Sequence, residues 1–116
     1  MRFMLLIYTP EKLDPDPGSA AFGEMMAGYG AFTAEVRGNG MFDNGDPLQP
    51  VATAKTVRVR DGEPLVMAGP FAETAEQLGG FYILNCKDID EAVAYAAKIP
   101  GAKLGSIEVR PIMEMG

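Results

Sequence analysis

The 116-residue chain predicts a single α+β domain in which two helices cover one face of an antiparallel sheet. Three observations carry this reading. The runs Phe3–Tyr8 and Gly80–Cys86 are almost continuously apolar, too short for helices and right for strands. Two longer segments repeat apolar residues at helical spacing. Between them Lys55–Arg60 alternates, Asp61-Gly62 is a type I′ turn dipeptide, and Pro64–Met67 returns, which is a hairpin signal. The order is strand, helix, strands, strand, helix, strand, a split β-α-β arrangement of the ferredoxin-like type.

Each element has its own reason. Phe3, Leu5 and Ile7 point one way from the first strand and Met4, Leu6 and Tyr8 the other, so both of its faces are apolar. Glu11–Gly18, with Pro15 and Pro17, is a loop. Ser19 suits a helix N-cap, and Phe22, Met25, Met26, Tyr29, Phe32 and Val36 form the predicted buried stripe, closed by Gly38-Asn39-Gly40. Gly23, Gly28 and Gly30 weigh against that helix by about 1 kcal/mol each relative to Ala unless a partner packs close. Met41-Phe42 begins an extended stretch, short or bent at Asn44-Gly45 and Pro47. In the hairpin Val57 and Val59 face one side, and Thr56, Arg58 and Arg60 the other. Phe71–Leu78 reads as a loop with at most one helical turn. Asp88 and Glu91 form a capping-box pattern for the second helix, whose stripe is Ile89, Ala92, Val93, Ala96 and Ile99, and Pro100-Gly101 ends it. Leu104–Arg110 is the final strand, with Ile107 and Val109 on one face.

Two helices cover only one face of such a sheet, yet its two central strands are apolar on both. The second face therefore needs a cover, because a wet face would carry alternating polar residues. A second copy in a C2 homodimer, with the two sheets face to face, is the economical answer; loop 9–18 or loop 68–79 folding over it is the other.

Composition excludes several function classes. The hydrophobic fraction is 47% and the charged fraction 22%, which places the chain among ordered globular domains. With no His there is no Ser-His-Asp triad, no Cys-His dyad and no imidazole metal site. The single Cys excludes an intrachain disulfide framework, and Cys86, in an apolar strand, reads as an inert buried thiol. No metal and no cofactor are expected. A net charge of −6 with dispersed basic residues argues against nucleic acid. No apolar run approaches the ~20 residues of a membrane span. Arg2, a short apolar run and then Pro10, Glu11 and Lys12 do not read as a signal peptide, so a cytoplasmic protein is expected.

The segment Ala68-Gly69-Pro70-Phe71-Ala72-Glu73, followed by Glu76-Gln77-Leu78-Gly79-Gly80-Phe81-Tyr82, resembles the YCII-related family and its DGPF branch. Met4–Tyr8, Ala54–Arg58 and Ile107–Pro111 extend the resemblance over most of residues 1–116. It implies a dimeric α+β barrel built on a ferredoxin-like unit. It also implies, for members thought to be enzymes, a His and an Asp acting as a proton-transfer pair, one group being similar to dehydrochlorinases of chlorinated hydroxyquinols. This chain departs from that pattern: it has no His, and Ala68 stands where the motif has Asp.

The residues singled out for a site are Glu73 as acid/base, and Tyr8, Arg58, Gly69, Pro70, Phe71 and Arg110 as ligand-binding groups. They are expected to meet in a small-molecule cleft between sheet and helices. Gly lets backbone approach a ligand and Pro sets the chain direction, but a tight strand-to-loop connection needs the same pair. Glu73 either exchanges protons, caps a helical turn, or pairs with Arg58 or Arg110. The two guanidinium groups either take a small carboxylate or phenolate or snorkel at a dimer rim. Two functions follow. One is a homodimeric binding or accessory protein for a small organic, anionic ligand, linked to transcription regulation because the resemblance implies neighbouring alternative sigma factors. The alternative is a cofactor-free enzyme that performs proton transfer or elimination on a small aromatic or carbonyl compound.

Overall fold

The computed structural model describes residues 1–115. Its strands and helices run β1 (Arg2–Thr9), α1 (Ala20–Gly38), β2 (Phe42–Pro47), β3 (Lys55–Arg60), β4 (Glu63–Ala68), β5 (Gln77–Asn85), α2 (Ile89–Ala96) and β6 (Ser106–Pro111), with short 3₁₀ turns at Glu11–Leu13, Val51–Thr53 and Pro100–Lys103. The main sheet has the order β2-β5-β1-β6, antiparallel throughout, which is the ferredoxin-like arrangement. The β3–β4 hairpin is not part of it. It forms a separate two-stranded sheet inserted between β2 and β5.

Local signals act where the sequence places them. Ser19 Oγ accepts from the Phe22 N–H at 3.1 Å and caps α1, and Asp88 Oδ1 accepts from the Glu91 N–H at 2.9 Å and caps α2. Glu91 reaches back to accept from the Lys87 N–H at 3.0 Å. Asp61 and Gly62 have φ of 51° and 79°, the paired positive values that a type I′ turn requires.

The core lies between helices and sheet. Alternation sends Phe3, Leu5 and Ile7 of β1 and Tyr82 and Leu84 of β5 inward, against Phe32 and Val36 of α1, Ala92 and Ala96 of α2, and Ile99. The Tyr82 ring meets Phe32 edge-on at 5.0 Å, and its hydroxyl is 2.9 Å from Thr33 Oγ1, so a buried phenol keeps a partner. Cys86 is buried here, and burial first, then the Glu91 charge, pushes its thiol above the usual range. At pH 8 iodoacetamide is therefore expected to alkylate Cys86 at least ~10-fold faster in denaturant than in the native protein, read by mass spectrometry. Equal rates would contradict this packing.

Three expectations are corrected. Within the α1 stripe only Phe32 and Val36 are buried; Met26 is 47% exposed, and Phe22 and Met25 are half-buried. Nineteen helical residues span about 28 Å, longer than the sheet edge beneath them, so the N-terminal turns overhang it. In α2 the face that packs is narrower than the stripe, and Ile89 and Val93 stay 44% and 51% exposed. The final strand begins at Ser106 because Pro100–Lys103 forms a 3₁₀ turn, and β5 begins at Gln77 with no helical turn before it.

The other sheet face carries Met4, Leu6 and Tyr8 from β1 and Phe81 and Ile83 from β5, paired Met4 with Ile83 and Leu6 with Phe81. These side chains are half-buried and lie outside the core cluster. Asn44 and Asp46 flank them on β2, and Ser106, Glu108 and Arg110 on β6. The molecule extends 48 × 45 × 19 Å with a radius of gyration of 16.1 Å, against about 13 Å for a compact chain of this length. No helix among the described residues is long and apolar enough to cross a membrane.

Candidate functional site

β4 ends at Ala68, and Gly69 turns the chain with a φ of +92°, a conformation open to glycine and strained for other residues. Its N–H donates to the Ala54 carbonyl at 2.7 Å, and its own carbonyl accepts from Thr56 Oγ1 at 2.9 Å. The motif loop is thus tied to the foot of the hairpin. Pro70 then leads the chain along a groove of about 230 Å³, lined by Val51, Pro70, Ala72, Glu73, Thr74 and Gln77.

Polar contacts clamp three segments around this groove. Gln77 Oε1 accepts from the Glu11 N–H at 2.8 Å, Glu11 Oε1 accepts from the Val51 N–H at 2.8 Å, and Gln77 Nε2 donates to the Thr74 carbonyl at 2.6 Å. Partial burial, then the nearby Glu11 charge, lifts the Asp14 carboxyl above its usual range. The loop is also held to the sheet edge, since Ser106 Oγ donates to Glu76 at 2.9 Å.

The structure brings some of the singled-out residues together. The Arg58 guanidinium lies over the Phe71 ring at 5.0 Å, while that ring stays 72% exposed. Pro70 and Glu73 line the groove beside it. Glu73 is exposed and, among the described residues, belongs to none of the ion pairs. Tyr8 lies opposite Leu78 and Ser106, next to the groove residue Gln77, on the sheet face away from the helices. Arg110 stands apart: it donates to Glu108 at 2.9 Å and sits opposite Met4, four residues or about 13 Å along β1 from Tyr8.

The expected cleft between sheet and helices is therefore corrected, because that space is the filled apolar core. The groove opens instead at the foot of the hairpin. Sequence reasoning missed Glu11, Val51 and Thr74, which have no motif of their own, and Gln77, whose amide inside Gln-Leu-Gly-Gly was a signal that a partner was needed. A wider hollow of about 580 Å³ lies between α1 and the end of α2, spanned by the Lys98–Glu35 ion pair at 2.7 Å, but no motif residue lines it. Among the described residues no cluster of His, Cys, Asp or Glu is arranged to hold a metal.

The model of the YCII-related domain matches residues 1–116. The chain belongs to the YCII-related family. An uncharacterised protein of Rhizobium meliloti (strain 1021) is 49% identical to this YCII-related chain over 67 residues, which cover 56% of the chain and 54% of that protein. The match thus spans about half of the relative's length. Among solved structures, a 5-chloro-2-hydroxyhydroquinone dehydrochlorinase from Burkholderia phenoliruptrix, in complex with 2,5-dihydroxybenzoquinone, superposes with a TM-score of 0.55. The superposition covers 99% of this YCII-related chain and 96% of that one at 16% identity, a likeness of fold.

Proposed function

We infer that this YCII-related protein is a homodimer that binds a small, flat, anionic organic molecule at the motif-loop groove. The observation that carries the reading is the Arg58–Phe71 pair at the groove's edge. An exposed phenyl ring is costly in water, and beneath a guanidinium it makes a flat, cationic platform. Val51, Pro70 and Ala72 add apolar wall, and the Glu11–Gln77 clamp holds that wall in place without a ligand, which lowers the cost of binding. The ligand of the dehydrochlorinase, 2,5-dihydroxybenzoquinone, suits this chemistry, being planar with acidic hydroxyls.

Calorimetric titration with 2,5-dihydroxybenzoquinone tests this. Binding is expected to weaken about 10-fold or more in Arg58→Ala, through loss of the charge and the stack. Glu73→Gln is expected to bind the anion slightly better, because a like charge leaves the groove. No measurable binding by the native protein, or an unchanged Arg58→Ala, overturns the reading.

One observation favours a catalytic second reading. Glu73 is the one ionisable side chain lining the groove, so it is placed to take a proton from a bound hydroxyaromatic while a leaving group departs with the electron pair. Glu73→Gln would then abolish turnover while retaining binding.

A further inference from the structure

The β3–β4 hairpin is an element without a partner in its own chain. It joins neither the main sheet nor the core cluster, although an isolated two-stranded hairpin is marginal in water. The register puts Val57 opposite Val66 and Val59 opposite Pro64, so one face of it is wholly apolar from Val57 to its tip. Val57, Val59 and Val66 are 59%, 60% and 59% exposed. Such a strand pair invites association unless something covers it.

Area and charge identify the cover. The chain exposes 7749 Å², whereas a monomer of 12.4 kDa is expected to expose about 6,100 Å². The excess of roughly 1,600 Å² per chain is what an obligate homodimer buries. Residues 55–68 carry three basic and two acidic side chains, while the rest of the chain carries seven basic and fourteen acidic. A basic, valine-faced arm thus complements an acidic body whose open sheet face is apolar at Met4, Leu6, Phe81 and Ile83 and edged by Asp46 and Glu108. A second copy supplies that surface, and C2 symmetry uses both arms.

We propose that the hairpin is an exchanged arm: its valine face seats on the open sheet face of a second copy, and each copy thereby walls the groove of the other. The closure follows from position. The groove residue Gln77 is followed by Leu78, which lies opposite Tyr8 on that same open face, so a body seated there covers the groove's mouth. This closure rests on the small-molecule reading above, whereas the arm exchange does not.

The test pairs light scattering with 2,5-dihydroxybenzoquinone titration. The native protein is expected at twice 12.4 kDa. In Val57→Glu/Val66→Lys the new cross-strand charges attract, which keeps the hairpin but removes its apolar face. That variant is expected to raise the dimer dissociation constant ~100-fold or more and to lose ligand affinity, with its far-UV spectrum unchanged. A monomeric native protein, or a variant that dimerises normally, overturns the arm. A dimer that the variant splits, with no ligand bound by either protein, leaves the arm standing and overturns the small-molecule reading and the groove closure with it. As a measurement independent of folding stability, a benzophenone photocrosslinker at position 57, in a mixture of light and isotope-labelled chains, should yield light–heavy products mapping to residues 2–9 or 77–85. Products confined to one chain overturn the exchange.

Discussion

Gly105→Ala is expected to cost about 4 kcal/mol or more and to lower the melting temperature by some 15 °C. A Cβ at this position would lie 2.0 Å from the Tyr8 carbonyl oxygen and 2.9 Å from the Thr9 Cα. Both are backbone atoms of β1, which is paired on one side with β5 and on the other with β6, so neither retreats without breaking ladder hydrogen bonds. Gly101 is the natural comparison. There a Cβ would meet the Tyr29 hydroxyl at 2.8 Å and the Ile7 Cγ2 at 3.0 Å, which are ends of side chains that rotate, so the expected loss is smaller. Gly23, exposed in α1 with nothing within 4 Å, should instead gain about 0.5–1 kcal/mol on becoming Ala. Chemical unfolding of the three variants reads the order directly. If Gly105→Ala lost under 1 kcal/mol, the close passage of residue 105 over the end of β1 would be wrong.

Phe3→Ala is expected to destabilise by about 3–5 kcal/mol, a large part of what a domain of this size has. Phe3 is fully buried, stands opposite Leu84 and Pro111, and shares the core with Leu5 and Val36, so truncation leaves a cavity that the central strand cannot close. Leu6→Ala, three residues on, touches the other face. Its cost should grow with protein concentration if that face is covered by a second copy, whereas the cost of Phe3→Ala should not. Urea denaturation at two protein concentrations separates the two kinds of site, and equal concentration dependence would contradict the assignment of faces.

Much of this architecture was legible in single residues. Asp61-Gly62 needs paired positive φ values and has them; Ser19 and Asp88 cap because their side chains reach N–H groups that a helix start leaves free. Alternation along Phe3–Tyr8 separates the core face from the open one. What failed was anything depending on how far one element extends over another. Met26 and Val93 lie at helical spacing, but spacing does not say where the sheet beneath stops. The hairpin's strands were visible while their separation from the main sheet was not, because pairing between distant strands leaves no mark in local pattern. The site divides in the same way. Gly69, Pro70, Phe71 and Glu73 are neighbours in sequence and come as one loop. The Arg58 stack and the Glu11–Gln77 clamp are long-range contacts that only the fold creates.

The hairpin's place in the chain has a further consequence. It occupies the one connection, residues 48–76, that joins an edge strand to its neighbour in the main sheet. Lengthening such a link from a tight turn to this size costs only about 2 kcal/mol of closure entropy. Changes in the arm therefore alter what the molecule assembles with at little expense to the body, and changes in the core alter stability without touching the arm. Assembly and folding in this domain can be selected separately, and relatives sharing its sheet are free to differ most in this single link.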